Sequence, residues 1–262
     1  MKKYKYIIAI SFIGCVYGIL IFSKRLYDYY SWAEERPTSY HTSRTQPDDT
    51  LKVIIIGDSW AAYHHNNDNI LASMLQEKLH KPVSVISSGK VGAKTKSIYE
   101  LMFDSISPIG THRLIKRRPK YCIISAGIND AVAKMGPRNY CHHYCLIIRH
   151  LLSAGIKPIV LDMPNVDYKD VYKRESIIAN IRHQITKWLT NAPMWSFEDY
   201  RKELEYKINQ EGLQTNIIYI SSMKWNPSGY KDTRNLYLKD HIHLDKKGYH
   251  VLDSCIASYI CN

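Results

Sequence analysis

Short, mainly apolar runs alternate along this chain with longer stretches in which apolar residues recur every three or four positions. The runs at 52–56, 83–86, 121–125, 158–161 and 217–220 have the length of strands and are rich in Ile and Val. Runs with so few polar interruptions suit strands buried on both faces of a parallel sheet. The periodic stretches predict helices over about 60–79, 94–104, 139–154, 174–189 and 247–260. In the first of these, Ile70, Met74, Leu75 and Leu79 share one side. Five strands interleaved with helices predict an α/β domain built on a doubly wound, five-stranded parallel sheet.

The first 30 residues break this rhythm. Lys2, Lys3 and Lys5 precede an uncharged run from Tyr6 to Phe22, and Lys24 and Arg25 follow. The run is at the short end of the roughly 17–25 residues that span a bilayer. No small-x-small cleavage site is evident, so an uncleaved N-terminal membrane anchor is expected over residues 1–30. The three N-terminal lysines favour an N-inside orientation, which places the body outside the cytoplasm. Residues 31–50 are polar, with Pro37 and Pro47, and read as a linker to a domain covering 51–262.

Composition changes this picture little. A content of 45% hydrophobic and 23% charged residues excludes a disordered chain. The net charge of +12 raises the question of nucleic acid. The cations are scattered, however, with Arg113, Lys116, Arg117, Arg118 and Lys120 the one dense run, so no nucleic-acid partner is expected. The six cysteines show no disulfide framework by spacing, although a non-local pair among Cys141, Cys145, Cys255 and Cys261 is open. Cys122 reads as a small buried hydrophobe. His64-His65 and the run from Cys141 to Cys145 lack a second ligand cluster, so neither a metal nor a cofactor is expected. Trp195, Trp225 and Tyr230 are candidates for a sugar-binding groove, most of the aromatic residues being packing residues.

The chemistry-bearing residues fall at the carboxyl ends of the expected strands, where doubly wound folds place their sites. The first strand ends in Gly57-Asp58-Ser59-Trp60. Gly57 permits a sharp turn, Asp58 and Ser59 suit a helix N-terminus, and Ser59 is expected on a solvent-facing turn. There the helix dipole and free N–H groups favour an anion. The second strand is followed by Gly89-Lys90-Val91-Gly92-Ala93-Lys94-Thr95, in which Ala93 breaks the spacing of a phosphate loop. The third is followed by Gly127-Ile128-Asn129-Asp130, and Asp240-His241-Ile242-His243 precedes the last helix.

Taken in this order, the four blocks resemble those of the SGNH (GDSL-type) hydrolase and esterase superfamily. The resemblance extends over roughly 200 residues, from Lys52 to the C-terminal helix. The Gly-x-Ser-x-Gly elbow of ordinary α/β-hydrolases is absent, because Ala61 stands at the second glycine. The resemblance implies a flavodoxin-like three-layer sandwich and a serine ester hydrolase. It implies Ser59 as nucleophile, His243 as base and Asp240 as the carboxylate orienting it. Its oxyanion hole would be the backbone N–H groups of Ser59 and Gly92 and the side-chain amide of Asn129. His241 competes with His243, but the following Leu244-Asp245-Lys246-Lys247-Gly248-Tyr249 resembles the usual sequel and places the register on His243. Gly89 competes with Gly92, and the Gly-x-x-Gly run into Thr95 favours Gly92.

Such an enzyme is expected to remove acyl groups, above all O-acetyl, from a carbohydrate or cell-envelope glycan ester. A lysophospholipase or thioesterase acting on long acyl chains, or an O-acyltransferase using the same serine, are the alternatives. The polar stretch 224–239 does not advertise the apolar channel that a long chain needs.

Overall fold

The computed structural model describes residues 2–37, 49–167, 176–178, 180–181, 184–185 and 195–262. Two units emerge. The first, within residues 1–34, is helix α1 (Lys2–Tyr30). Its segment Ile10–Tyr30 is long and apolar enough to cross a membrane, a property shared by anchors and signal sequences.

The second unit begins at Glu35 and contains the sheet. Its strands are β1 (Leu51–Gly57), β2 (Val83–Gly89), β3 (Tyr121–Ser125), β4 (Lys157–Leu161) and β5 (Ile218–Ile220). All neighbours pair in parallel, in the order β2-β1-β3-β4-β5. The side chains of Ile54, Ile56, Ile123 and Ile124 are almost wholly buried, as expected for central strands covered on both faces. Each such side chain contributes about 1.5–3 kcal/mol by leaving water.

Among the described residues the unit also holds helices α2 (Ser59–His64), α3 (Asp68–Leu79), α4 (Thr95–Leu101), α5 (His112–Lys116), α6 (Ile128–Val132), α7 (Pro137–Ser153), α8 (Phe197–Gln210) and α9 (Lys246–Cys261). α3 packs on α9 and β2, whereas α7 packs on α4, α8 and β4, giving three layers. The body's first residues are held by Arg36 N–H, which donates to Tyr99 Oη at 2.8 Å, and by Arg149, which bridges Glu35 and Glu211.

The helix expected over 60–79 is broken by a 3₁₀ turn at His65–Asn67. His64 ends α2 with its ring buried between carboxylates, and Asp68 restarts the helix as α3. Helix α8 lies outside the helices expected from the hydrophobic pattern. Its start is a capping box in which Ser196 and Asp199 bond each other's backbone, and its buried face is Phe197, Tyr200, Leu204 and Ile208. The helix expected over 174–189 falls mostly outside the described residues. None of the six cysteines is paired, and Cys122, Cys141 and Cys145 are buried.

Candidate active site

The carboxyl ends of β1, β2 and β3 and the loop before α9 converge on Ser59. Asp58 caps α2 by accepting the Trp60 N–H at 3.0 Å, which sets Ser59 at the first position of the helix. Ser59 Oγ lies 2.9 Å from His243 Nε2, and His243 Nδ1 lies 2.7 Å from Asp240 Oδ2. The other Asp240 oxygen accepts the backbone N–H groups of Ile242 and His243 at 2.9 and 3.0 Å. Burial works against the Asp240 charge, but hydrogen bonds from the His243 ring and these amides outweigh it and hold its pKa below the ordinary value. A hydroxyl, a ring nitrogen and an orienting carboxylate within hydrogen-bond reach can generate a serine nucleophile.

The loop is pinned to α2 by further contacts. Trp60 Nε1–H donates to Ile242 O at 3.1 Å, and Tyr249 Oη–H donates to Trp60 O at 3.0 Å. The Tyr63 ring meets the His243 ring edge-on, with centroids 4.9 Å apart. Ser59 is only 6% exposed, so the expectation of a solvent-facing turn is corrected: the hydroxyl is tucked against His243. His241 is exposed and has φ of 57°, the left-handed turn that lets Asp240 and His243 face each other.

The three glycines earn their places differently. Gly57 and Gly89 are sites of close approach: an added Cβ would lie 1.9 Å from Ser125 O at the first and 2.3 Å from Asp58 O at the second. Gly57 therefore answers to strand packing rather than to turn geometry. Gly92 is exposed at φ of 75°, with no neighbouring atom within 4 Å of such a Cβ. A backbone N–H there is open to a substrate.

Asn129 Nδ2 donates to Asp58 Oδ2 at 3.2 Å and to Ala93 O at 3.1 Å. The amide is thus fixed between the β1 turn and the Gly92 loop. Burial drives the Asp58 carboxyl up to about 7, against hydrogen bonds from Trp60 and Asn129 and reinforced by the nearby Asp130 charge. Asp130, read in the sequence only as part of the Gly-x-Asn-Asp block, accepts Thr95 N–H at 2.9 Å and Thr95 Oγ–H at 2.7 Å. It ties the start of α4 to α6, and burial raises its pKa to about 6. The Asp-to-Thr spacing gives no signal until the two loops are known to be adjacent.

Other candidates lie elsewhere. His64 sits in a buried network with Asp68, Ser87 and Asp253. Cys141, His143 and Cys145 are inside α7. Among the described residues no group of three or more His, Cys, Asp or Glu is placed to hold a metal ion. Trp225 is 4% exposed and packs on Trp60, Trp195 lies over Gly136, and Tyr230 is half-buried beside His241. Tyr63, 39% exposed, was not singled out from the sequence, yet it is the aromatic ring that meets His243.

A doubly wound sheet carrying Ser, His and Asp at the carboxyl edge has the architecture and side-chain set of a serine ester hydrolase. Residues 55–251 match the model of the GDSL-like lipase/acylhydrolase family, and the chain belongs to that family. No curated protein is a significant match by sequence. Among solved structures, a lipase/acylhydrolase from Enterococcus faecalis superposes with a TM-score of 0.54 at 20% identity, covering 80% of this chain and 95% of that one. A psychrotrophic esterase from Pseudoalteromonas sp. gives 0.52 at 14% identity over 81% and 97%. An acetyl xylan esterase gives 0.50 at 16% over 80% and 98%.

Proposed function

We propose that Ser59, His243 and Asp240 form the catalytic triad of this esterase, the 2.9 Å approach of Ser59 Oγ to His243 Nε2 being the observation that carries the reading. Ser59 Oγ attacks the ester carbonyl while its proton passes to His243 Nε2. Asp240 holds the ring and stabilises the imidazolium. The oxyanion takes the N–H groups of Ser59 and Gly92, and one Asn129 N–H exchanges the Ala93 carbonyl for it as charge develops. Collapse breaks the bond to the alcohol oxygen, which leaves with the proton from His243. Water, deprotonated by the same ring, then releases the acyl group from Ser59.

The substrate we infer is a short acyl ester, above all O-acetyl, of a carbohydrate or cell-envelope glycan. Support comes from the likeness to an acetyl xylan esterase and from the partly exposed Tyr63 ring beside His243, a surface on which a sugar can stack. The apolar segment Ile10–Tyr30 supports an anchored enzyme, and the N-terminal lysines support a body facing outward. The test is turnover by the full chain in detergent micelles. Acetylated xylo-oligosaccharides should be cleaved far faster than lysophosphatidylcholine or palmitoyl-coenzyme A. Preference for either long-chain substrate would overturn the assignment.

A further inference from the structure

The edge of the sheet opposite Ser59 carries a row of lysines. Lys81, Lys52, Lys120 and Lys157 stand within two residues of the starts of β2, β1, β3 and β4, which are neighbours in that order. Backbone bonds tie the row together. Lys120 N–H donates to Lys52 O at 2.8 Å, Lys157 N–H to Lys120 O at 3.0 Å, and Leu51 N–H to Pro82 O at 2.9 Å. Lys120 and Lys157 are exposed, and Lys52 and Lys81 are half-buried. The dense basic run joins the row at its centre, because α5 ends at Lys116 and the exposed Arg117 and Arg118 lead through Pro119 into Lys120. Asp49, two residues ahead of β1, offsets one of these charges.

Local structure accounts for only part of this charge. Cations in the last turn of a helix complement its dipole, which covers Arg113 and Lys116 of α5. Strands carry little net dipole, so the same reason does not extend to Lys52, Lys120 and Lys157. Neighbouring strands lie about 4.8 Å apart, and like charges facing each other across them oppose folding. Such a row becomes favourable once an extended anionic surface meets it. The chain itself gives a reason for one to be near, since its segment Ile10–Tyr30 is long and apolar enough to cross a membrane.

We propose that this lysine-lined edge docks on the anionic phospholipid headgroups of the membrane that holds the N-terminal segment. The docking rests on the membrane reading of Ile10–Tyr30 and is independent of the chemistry at Ser59. Attraction between basic residues and an anionic leaflet acts within a Debye length, so it needs the edge seated on the surface. Strand β1 is seven residues long, at about 3.3 Å per residue, and Ser59 follows its far end. A body seated this way holds Ser59 roughly 20 Å beyond the headgroups. Ester bonds of the bilayer's own lipids are then out of reach, whereas those of a polymer standing off the surface are not. The docking therefore favours a glycan ester over a lysophospholipid.

Lysine footprinting of the full chain in vesicles tests this. A membrane-impermeant acetylating reagent is applied to the protein in phosphatidylcholine vesicles and in vesicles of an equal mixture with phosphatidylglycerol. Peptide mapping compares Lys81, Lys120 and Lys157 with the exposed Lys90, which follows β2, and Lys246, which opens α9 after the Ser59-facing loop. Relative labelling of the first three should fall about fivefold in the anionic vesicles and return in 1 M salt, where the Debye length is about 3 Å. Arg117→Glu combined with Lys120→Glu should restore the labelling of Lys81 and Lys157. Equal relative labelling of the wild type in both vesicles would overturn the inference, as would protection of these lysines by duplex DNA and not by the anionic vesicles. Failure of the chain to float with either vesicle would instead overturn the membrane reading.

Discussion

His243 and His64 both contact carboxylates through their rings, and they do opposite things. His243 gives Nδ1 to Asp240 and keeps Nε2 for the Ser59 hydroxyl. His64 has Nε2 at 2.7 Å from Asp253 Oδ1 and Nδ1 at 3.0 Å from Asp68 Oδ1, inside the protein. Burial opposes a charge on His64, but hydrogen bonds to the two carboxylates outweigh it and lift its pKa to about 9. An imidazolium with both N–H groups given to carboxylates has no lone pair to offer as a base. It joins the end of α2 to α3 and α9, while the start of the same short helix presents Ser59. One carboxylate per imidazole makes a base at this site, and two make a clamp.

The comparison breaks most sharply by mutation of the base. His243→Ala and Ser59→Ala should each lower kcat/KM on phenyl acetate by about 10⁴-fold or more, with the double mutant no worse than either, because the residues act as a unit. Near-additive losses would separate them.

His64→Gln should act on stability instead. Removing one partner from a buried ionic cluster typically costs about 3–5 kcal/mol, to be read by chemical denaturation. The sign of its pH dependence follows from the raised pKa. The folded state holds the His64 proton more tightly than the unfolded chain, so this contribution is complete below pH 6.5 and is lost as pH rises through about 9. The wild-type melting temperature should therefore decline across that window, and His64→Gln should flatten the decline. An unchanged slope would show that His64 is not the charged member of the network.

Asn129→Ala should reduce kcat about 100–1,000-fold with little change in KM, since its bond strengthens only as the carbonyl oxygen becomes charged. A rise in KM alone would reassign the residue to substrate binding. The smallest effect belongs to His241→Ala, expected to stay within about threefold of wild type in kcat/KM, a change worth less than about 1 kcal/mol. A dead His241 variant beside an active His243 variant would reverse the register of the loop.

The sheet was legible because 53–56 and 121–124 are uninterrupted apolar runs, and burial on both faces demands just that pattern. The four motif blocks were legible because each follows a strand or leads into the last helix. Three features escaped for different reasons. The break between α2 and α3 depends on Asp253, 189 residues from His64, whose carboxylate draws the ring inward. Helix α8 carries a capping box and a spaced apolar face, a local signal masked by the many charged residues between its apolar positions. That Asp162 and Trp225 line one pocket is wholly tertiary, and neither residue stands in a motif.

The central claim, that Ser59 is activated by His243 and not by any other histidine, is met most directly by fluorophosphonate labelling of the full chain followed by peptide mapping. One adduct per chain, on Ser59, is predicted. It should be absent in Ser59→Ala, slowed by orders of magnitude in His243→Ala, and retained in the folded fraction of His64→Gln. An adduct on another residue, or full-rate labelling of Ser59 in His243→Ala, would contradict the account.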